Sequence, residues 1–305
     1  MSQQLTGSTF MYIGRFAPSP TGHLHFGSLL AALASYLDAK SNQGLWRLRI
    51  DDLDPPRELP GAANSIIDIL IAYGLEWDKE VVYQSHNHSD YHKALLQLQQ
   101  IQLAYPCNCS RKQITLRTNN HLYDRHCLTN PTDIVLDNPA ATVWRFNTQN
   151  NSVNWQDGIQ GEQHINGEQL ADFILQRKDQ LWAYQLAVSV DDQQMGITHI
   201  IRGNDLLGET ANQLLLISVL NYQSIEFSHI PILSNLKGQK LSKQNLASPL
   251  TAKTVSQDLF LALTFLGQNP NKQLINANKH DILHEAVLNW DRNTVPQIYS
   301  NHYLG

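Results

Sequence analysis

With 305 residues, 42% of them hydrophobic and 16% charged, the chain can bury a large core as one big domain or two smaller ones. No segment approaches the roughly 20 uninterrupted apolar residues of a membrane span, and Met1-Ser2-Gln3-Gln4-Leu5 lacks the basic-then-apolar form of a signal peptide, so a cytoplasmic protein with no membrane partner is expected. The net charge of −5 lacks the overall positive footprint of a nucleic-acid binder, although residues 107 to 130 concentrate Arg111, Lys112, Arg117 and Arg125 against the single acid Asp124.

The first predicted element is a short buried strand, Phe10-Met11-Tyr12-Ile13. It leads into Arg15-Phe16-Ala17-Pro18-Ser19-Pro20-Thr21-Gly22-His23-Leu24-His25-Phe26-Gly27-Ser28, after which Phe26, Leu30, Leu33 and Leu37 recur at helical spacing up to about Lys40. Pro18 and Pro20 fix two φ angles, Gly22 relaxes the steric limits between strand and helix, and His25-Phe26-Gly27 arrives where the first helical N–H groups have no partner of their own. Free amides at a helix N-terminus suit a phosphate, with a dipole contribution of about 0.3–1 kcal/mol, and a histidine beside them can donate to phosphate oxygens as charge develops. Gly27 would let the backbone come close. A bare H-x-G triplet is usually an ordinary βα loop, but the full string resembles the HIGH-type signature of class I aminoacyl-tRNA synthetases in its glutamyl form, R-F-A-P-S-P-T-G-x-L-H-x-G. Every fixed position matches, with His25-Phe26-Gly27-Ser28 in the HIGH slot. The resemblance implies an α/β, Rossmann-like nucleotide-binding catalytic domain. It also implies His25, Gly27 and Ser28 at ATP, with His25 catalytic, and Arg15, Phe16, Ala17, Pro18 and Ser19 along a glutamate substrate.

Gly44-Leu45-Trp46-Arg47-Leu48-Arg49-Ile50 alternates apolar and basic residues, as a strand with two unlike faces. It runs into Asp51-Asp52-Leu53-Asp54-Pro55-Pro56-Arg57-Glu58, where three carboxylates could form a Mg2+ site, a substrate-amine site or a solvated loop. Glutamyl-type synthetases carry R-I-E-D-[TI]-D-x-x-R here, which implies that Asp51, one methylene shorter than the family's Glu, helps hold the amino group of glutamate. A helix is predicted from about Ala62 to Tyr73, with Ile66, Ile67, Leu70 and Ile71 on its apolar face and a Gly74 cap, and a second around Tyr91 to Leu103.

Cys107-Asn108-Cys109 places two soft ligands one residue apart, and Cys127 returns after a polar loop. Three cysteines within one short segment fit a reducing compartment and a metal better than a disulfide frame. Zinc wants four ligands, and His121 and His126 are chemical candidates for the fourth, His126 in a cramped position beside Cys127. The segment is similar to the glutamyl-queuosine branch of the same family, whose pattern C-x-C then Y-D-x-H-C implies Tyr123 as the fourth ligand. Three buried free cysteines are the alternative. A zinc ion held by four protein groups would be structural, its apparent binding energy of about 10–16 kcal/mol folding a polar, basic loop, with no open position for water.

Val143 to Gly161 reads as strand and turn, and Phe173–Arg177 with Trp182–Val188 as a further pair of β elements. The turn Asp191-Asp192-Gln193-Gln194-Met195-Gly196 and the strand Ile197–Gly203 follow. The family strings D-x-x-x-A-Y-x-L-A-V and I-x-R-G imply that Tyr184 and Arg202 touch the amino acid. An arginine fork recognises a carboxylate with two parallel charge-assisted bonds, so Arg15 and Arg202 are expected to read the side-chain carboxylate together, and glutamine would leave a buried cation unpaired at a cost of a few kcal/mol. A helix over Glu209–Leu220 and a strand over Phe227–Leu233 precede Lys240-Leu241-Ser242-Lys243-Gln244, which resembles the KMSKS signature. That implies Lys240 and Lys243 as catalytic groups, with Lys243 neutralising pyrophosphate as it leaves. The rest is helical by pattern, with Val255, Leu259, Leu263 and Leu266 on one face and then Ile282–Trp290.

The expected organisation is a catalytic domain over 1–248 with a zinc-bearing, acceptor-type insertion at about 103–185, and a helical stem-contact region over 249–305, with no anticodon-binding domain. Likeness to the glutamyl-queuosine branch spans nearly the whole chain. It implies ATP, with Mg2+, and L-glutamate as substrates of a monomer that forms glutamyl-adenylate and transfers glutamate to the cyclopentene diol of queuosine in tRNA(Asp), whose anticodon stem backbone would meet Arg111, Lys112 and Arg125. A short conventional glutamyl-tRNA synthetase charging the 3′ end of tRNA(Glu) is the second reading, and a non-enzymatic RNA-binding relic the third.

Overall fold

The computed structural model describes residues 11–118, 122–131, 142–234, 248–298 and 300–302. The chain opens with β1 (Ile13–Phe16), α1 (Phe26–Ser41), β2 (Leu45–Ile50), α2 (Ala62–Ala72), β3 (Val82–Tyr83) and α3 (His88–Gln100). An antiparallel segment follows, with β4 (Ala104–Cys107), α4 (Arg111–Arg117), α5 (His126–Thr129), β5 (Val143–Phe146), β6 (Val153–Asp157), β7 (Gly161–Ile165) and β8 (Ile174–Gln176). The α/β pattern resumes with α6 (Tyr184–Gln194), β9 (His199–Gly203), α7 (Glu209–Val219), β10 (Glu226–Ile230) and β11 (Ile232–Ser234), and closes with α8 (Val255–Phe265), α9 (Lys279–Asn289) and β12 (Ser300–His302).

β1, β2 and β3 pair in parallel, as do β9 and β10. The Thr198 N–H donates to the Ile13 carbonyl at 2.9 Å, which sets β9 beside β1 and gives the order β3-β2-β1-β9-β10. This is a doubly wound sheet with its switch point between β1 and β9, the crevice where such sheets bind ligands at the carboxyl ends of their strands. Of the predicted strand Phe10–Ile13, Phe10 lies outside the described residues and β1 begins at Ile13, so that Arg15 and Phe16 are strand residues at its carboxyl end.

Burial explains where the elements depart from their predicted form. Arg47 and Arg49 do not form a solvated face of β2 but are buried, because a parallel sheet is covered on both sides. Trp182–Val188 is not a strand: Trp182 makes an isolated bridge to Gln176, Ala183 is an extended cap, and α6 begins at Tyr184. Every residue from Leu186 to Asp192 is buried, so the helix has no apolar stripe to read, and Asp191-Asp192 lies in its last turns rather than in a loop. Pro231 divides the predicted Phe227–Leu233 strand into β10 and β11.

The C-terminal helices complete the first half's core: Leu259, Leu263, Ile282 and Leu283 pack with Leu33, Leu70 and their neighbours. Lys279 Nζ donates to the Ile71 and Ala72 carbonyls (2.8 and 3.0 Å), capping α2 with a cation, and Trp290 Nε1 donates to Asp38. In the antiparallel segment β4, β5 and β8 form one sheet and β6–β7 a hairpin. The hairpin turn reaches back to the main sheet, where the Gly158 N–H donates to the Phe227 carbonyl at 2.8 Å.

Candidate active site and metal centre

Between β1 and α1 the chain folds as a cap for the helix N-terminus. His25 is the N-cap residue and its Nδ1 accepts from the Ser28 N–H at 3.3 Å, so the neutral ring carries its proton on Nε2, a donor suited to a phosphate oxygen. A Cβ on Gly27 would come within 3.0 Å of His25 Cε1. Glycine is therefore needed for the imidazole to lie across the helix start, a tighter reason than access for a ligand. Lys240 and Lys243 lie outside the described residues. The segments on either side of them do reach the His25 turn: Pro249 bridges to His25, the Leu250 N–H donates to the Leu24 carbonyl at 2.9 Å, and Leu233 lies against Gly27.

Arg15, on β1, donates through Nε to Asp192 Oδ1 (3.2 Å). Arg49, wholly buried on β2, donates through Nη1 to the same oxygen (2.6 Å) and through Nε to Asp51 Oδ1 (2.7 Å). Two arginines thus share Asp192, and Arg49 fixes Asp51 at the same time. Burial works against the Asp192 carboxylate, but the two guanidinium groups hold it below the usual range. Asp51 goes the other way: burial outweighs Arg49 and pushes its carboxyl up to about 6. The remaining carboxylates of the acidic string are occupied elsewhere, Asp52 accepting from the Ser85 N–H and hydroxyl and Asp54 pairing with Arg57 and Arg177. Asp51 and Asp54 line one cavity while Asp52 is turned to Ser85, so the three carboxylates are engaged by different partners.

Asp51, Ser19 and Tyr184 line a cavity of about 720 Å³, with Arg111, Arg177 and Trp182 further round the wall. Tyr184 OH is 3.5 Å from Arg202 Nη1, so the two residues that the sequence pairs do come together. Arg202 is buried, and burial pushes its pKa down; each partner it donates to is neutral, namely His229 Nε2 (2.9 Å), Gln213 Oε1 (2.9 Å), Thr210 Oγ1 (2.8 Å) and the Leu206 carbonyl (3.2 Å). No carboxylate touches this buried cation among the described residues, so its charge could be met by an anionic group from outside. Ala17 and Pro18 form the floor of the turn, the Pro18 carbonyl accepting from the Asp51 N–H at 3.0 Å, while Phe16 stacks on Trp46. Arg49, Asp191, Asp192, Gln213 and His229 were not singled out in the sequence; only the pair of adjacent acids in an apolar setting marks any of them.

In the antiparallel segment, Cys107, Cys109 and Cys127 place their sulfurs within 4.8 Å of one another. Among the described residues this is the cluster able to hold a metal ion. Tyr123 OH lies 3.3 Å from Cys107 Sγ and accepts from the Cys127 N–H at 2.9 Å, whereas His126 Nδ1 sits against Asn130 Nδ2 (3.4 Å) and His121 lies outside the described residues. Two guanidinium groups face the sulfurs, Arg117 Nη2 at 3.2 Å from Cys109 and Arg145 Nε at 3.3 Å from Cys107. Burial pushes the Cys109 thiol up to about 11, whereas at Cys127 burial is outweighed by hydrogen bonds, led by that of Tyr123, which hold it below the usual thiol range. A soft cation bound to the thiolates would have Arg117 and Arg145 beside it as balancing charges. Of the expected basic patch, Arg117 is paired to Asp124 by both carboxylate oxygens and Arg125 to the buried Asp172, which leaves Arg111 and Lys112 on the exposed start of α4.

Residues 13–269 match the family tRNA synthetases class I (E and Q), catalytic domain. A glutamyl-Q tRNA(Asp) synthetase of Neisseria meningitidis is 44% identical over 295 residues, covering 94% of this chain and 98% of the relative, and one of Escherichia coli K12 is 43% identical over 94% and 91%. The chain belongs to the class I glutamyl-Q tRNA(Asp) synthetase family. Members of this synthetase class use ATP. The fold is also that of a glutamate-tRNA synthetase from Elizabethkingia anophelis, with a TM-score of 0.81 at 24% identity over 96% of this chain and 68% of that one. A glutamate tRNA ligase from Elizabethkingia meningosepticum in complex with its amino acid aligns with a TM-score of 0.80 at 24% identity, over 95% and 67%.

Proposed function

We propose that this synthetase activates L-glutamate with ATP, as a Mg2+ complex, to glutamyl-adenylate, and transfers the glutamyl group to queuosine at the wobble base of tRNA(Asp). The observation that carries the reading is that Arg202, a buried guanidinium with no acid in contact among the described residues, lies 3.5 Å from the OH of Tyr184, which lines the same cavity as the Asp51 carboxyl. Arg202, with Arg15 beside Asp192, receives the side-chain carboxylate, Tyr184 closes over it, and Asp51 takes the α-ammonium group. The α-carboxylate is left to attack the α-phosphate. His25 Nε2–H and the Gly27 amide stabilise charge on the phosphate oxygens, Ser28 gives its own N–H to His25 Nδ1 and lies beside them, and Lys240 and Lys243 offset the charge of the departing pyrophosphate.

The thiol cluster with Tyr123 fits one structural zinc ion: three soft donors and a phenol, closed to water, with Arg117 and Arg145 as counter-charges. Zinc there would tie α4 and α5 to β4 and present Arg111 and Lys112 to an RNA backbone. The protein is proposed to work as a cytoplasmic monomer.

Incubation with glutamate, ATP and each purified tRNA, with and without queuosine, tests the reading. Glutamate should be attached to tRNA(Asp) only when queuosine is present; esterification of the 3′ end of tRNA(Glu) would instead assign a conventional synthetase, and absence of glutamate-dependent ATP–pyrophosphate exchange would refute activation altogether.

A further inference from the structure

We propose that Asp157 and His229 act as a positioning couple for Arg202, so that the turn of the inserted β6–β7 hairpin sets the guanidinium that reads glutamate. This rests on the assignment of Arg202 to the substrate. A guanidinium only donates, so His229 Nε2, 2.9 Å from Arg202 Nε, must accept. The ring proton then sits on Nδ1 and is donated to Asp157 Oδ2 at 2.5 Å. Asp157 cannot swing away, because its Oδ1 accepts from the backbone N–H groups of His229 (3.0 Å), Ile159 (3.1 Å) and Gln160 (2.9 Å). The hairpin is held in turn by the Gln160 side chain, which donates to the His229 carbonyl at 2.7 Å. Both members of the couple are fully buried.

The arrangement solves a conflict in recognising an anion. A carboxylate touching Arg202 would neutralise it but would compete with the substrate's own carboxylate for the fork. Here the compensating charge is one imidazole ring away: Asp157 polarises a neutral His229, which supplies an acceptor to Nε while Nη1 and Nη2 face neutral oxygens. Burial keeps His229 below the usual imidazole range despite Asp157, so the neutral ring prevails at physiological pH.

The test compares wild type, His229→Gln, His229→Leu and Asp157→Asn by the glutamate KM and kcat of ATP–pyrophosphate exchange, with tRNA present, alongside imidazole 15N shifts. Gln offers an acceptor oxygen and should keep KM within about threefold, whereas Leu leaves a buried charged donor unpaired and should raise it about 10- to 100-fold, with kcat changed far less. The wild-type ring at pH 7.5 should be neutral and protonated on Nδ1, and Asp157→Asn should shift that signature. Equal KM for the Gln and Leu variants would overturn the proposal, as would a ring that carries its proton on Nε2 or on both nitrogens. A wild-type enzyme inactive with glutamate would sink the Arg202 assignment instead, and the 15N readout would still decide whether the couple exists.

Discussion

Replacing Arg49 by methionine removes the one cation that Asp51 and Asp192 share. The side chain is wholly buried, 2.7 Å from Asp51 and 2.6 Å from Asp192, and its Nε lies 3.9 Å from Asp191 Oδ2. Asp191 keeps Gln84, Asn87 and Tyr91 as donors, and Asp192 keeps Arg15, so the uncompensated charge falls mainly on Asp51. Removing one partner of a buried ion pair costs about 3–5 kcal/mol, a large share of a total stability of about 5–15 kcal/mol. At roughly 2–4 °C per kcal/mol for a chain of this size, the melting temperature should fall by about 6–20 °C at pH 7.5. The sign with pH follows from the carboxyl groups. Asp192 is held below its ordinary range and keeps Arg15 in the variant, so it stays ionised above pH 5.5 in both proteins, whereas Asp51, already pushed up to about 6, rises further without Arg49 and destabilises only when ionised. The gap between wild type and variant should therefore narrow between pH 7.5 and 5.5, as followed by circular dichroism in thermal unfolding. Arg49→Lys keeps the charge but cannot span both acids, and should recover part of the stability with little of the glutamate affinity. A loss below about 3 °C for Arg49→Met, or a gap that widens in acid, would refute the reasoning.

With Asp51 at about 6 in the free enzyme and needed as the anion for an ammonium group, the glutamate KM should rise about tenfold from pH 7.5 to 5, and Asp51→Asn should raise KM at pH 7.5 and remove that dependence. A KM that stays flat over this range contradicts the role. Lys243→Ala should slow adenylate formation about 10²- to 10³-fold in single-turnover assays with modest change in glutamate affinity, since the contact matters only as pyrophosphate departs. Atomic absorption should find one zinc per chain, and Cys127→Ser should abolish it, with loss of transfer to tRNA exceeding loss of exchange. Lys112→Ala should weaken tRNA binding at all sequences and lower the slope of log affinity against log salt by about one, measured by filter binding.

How much of this was legible in the sequence depended on whether a feature is local. Pro18, Pro20 and His25 fix a turn through their own backbones, so the strand-turn-helix at the nucleotide end could be read directly, and C-x-C announced the thiol cluster. For the fourth group the residues alone left His121, His126 and Tyr123 open and the family resemblance pointed to Tyr123, whose OH lies beside Cys107 while His126 sits against Asn130. Arg49 and Asp192 were hidden because their meaning is tertiary. A basic residue alternating with apolar ones looks like an exposed strand face until acids more than 140 positions away are brought against it. α6 was misread for the same reason, because burial on all sides removes the periodicity that distinguishes a helix. The HIGH-slot glycine has a second, local reason that the sequence did not show: a Cβ there would crowd the imidazole of its near neighbour, His25.

The antiparallel insertion meets the catalytic sheet through different kinds of contact, and this separates two duties within one segment. The thiol knuckle is tied to the strands of its own segment, Arg145 on β5 reaching Cys107 and Arg125 reaching Asp172 beside β8. The β6–β7 turn instead plugs into β10 through Asp157, Gly158 and Gln160, next to Arg202. Loosening the knuckle therefore leaves the hydrogen bonds of the hairpin turn intact, while unseating the hairpin removes the support of the guanidinium without touching a thiol. In a reaction that first selects an amino acid and then an RNA, one insertion can serve both steps because the contacts that would shape each are built from separate residues.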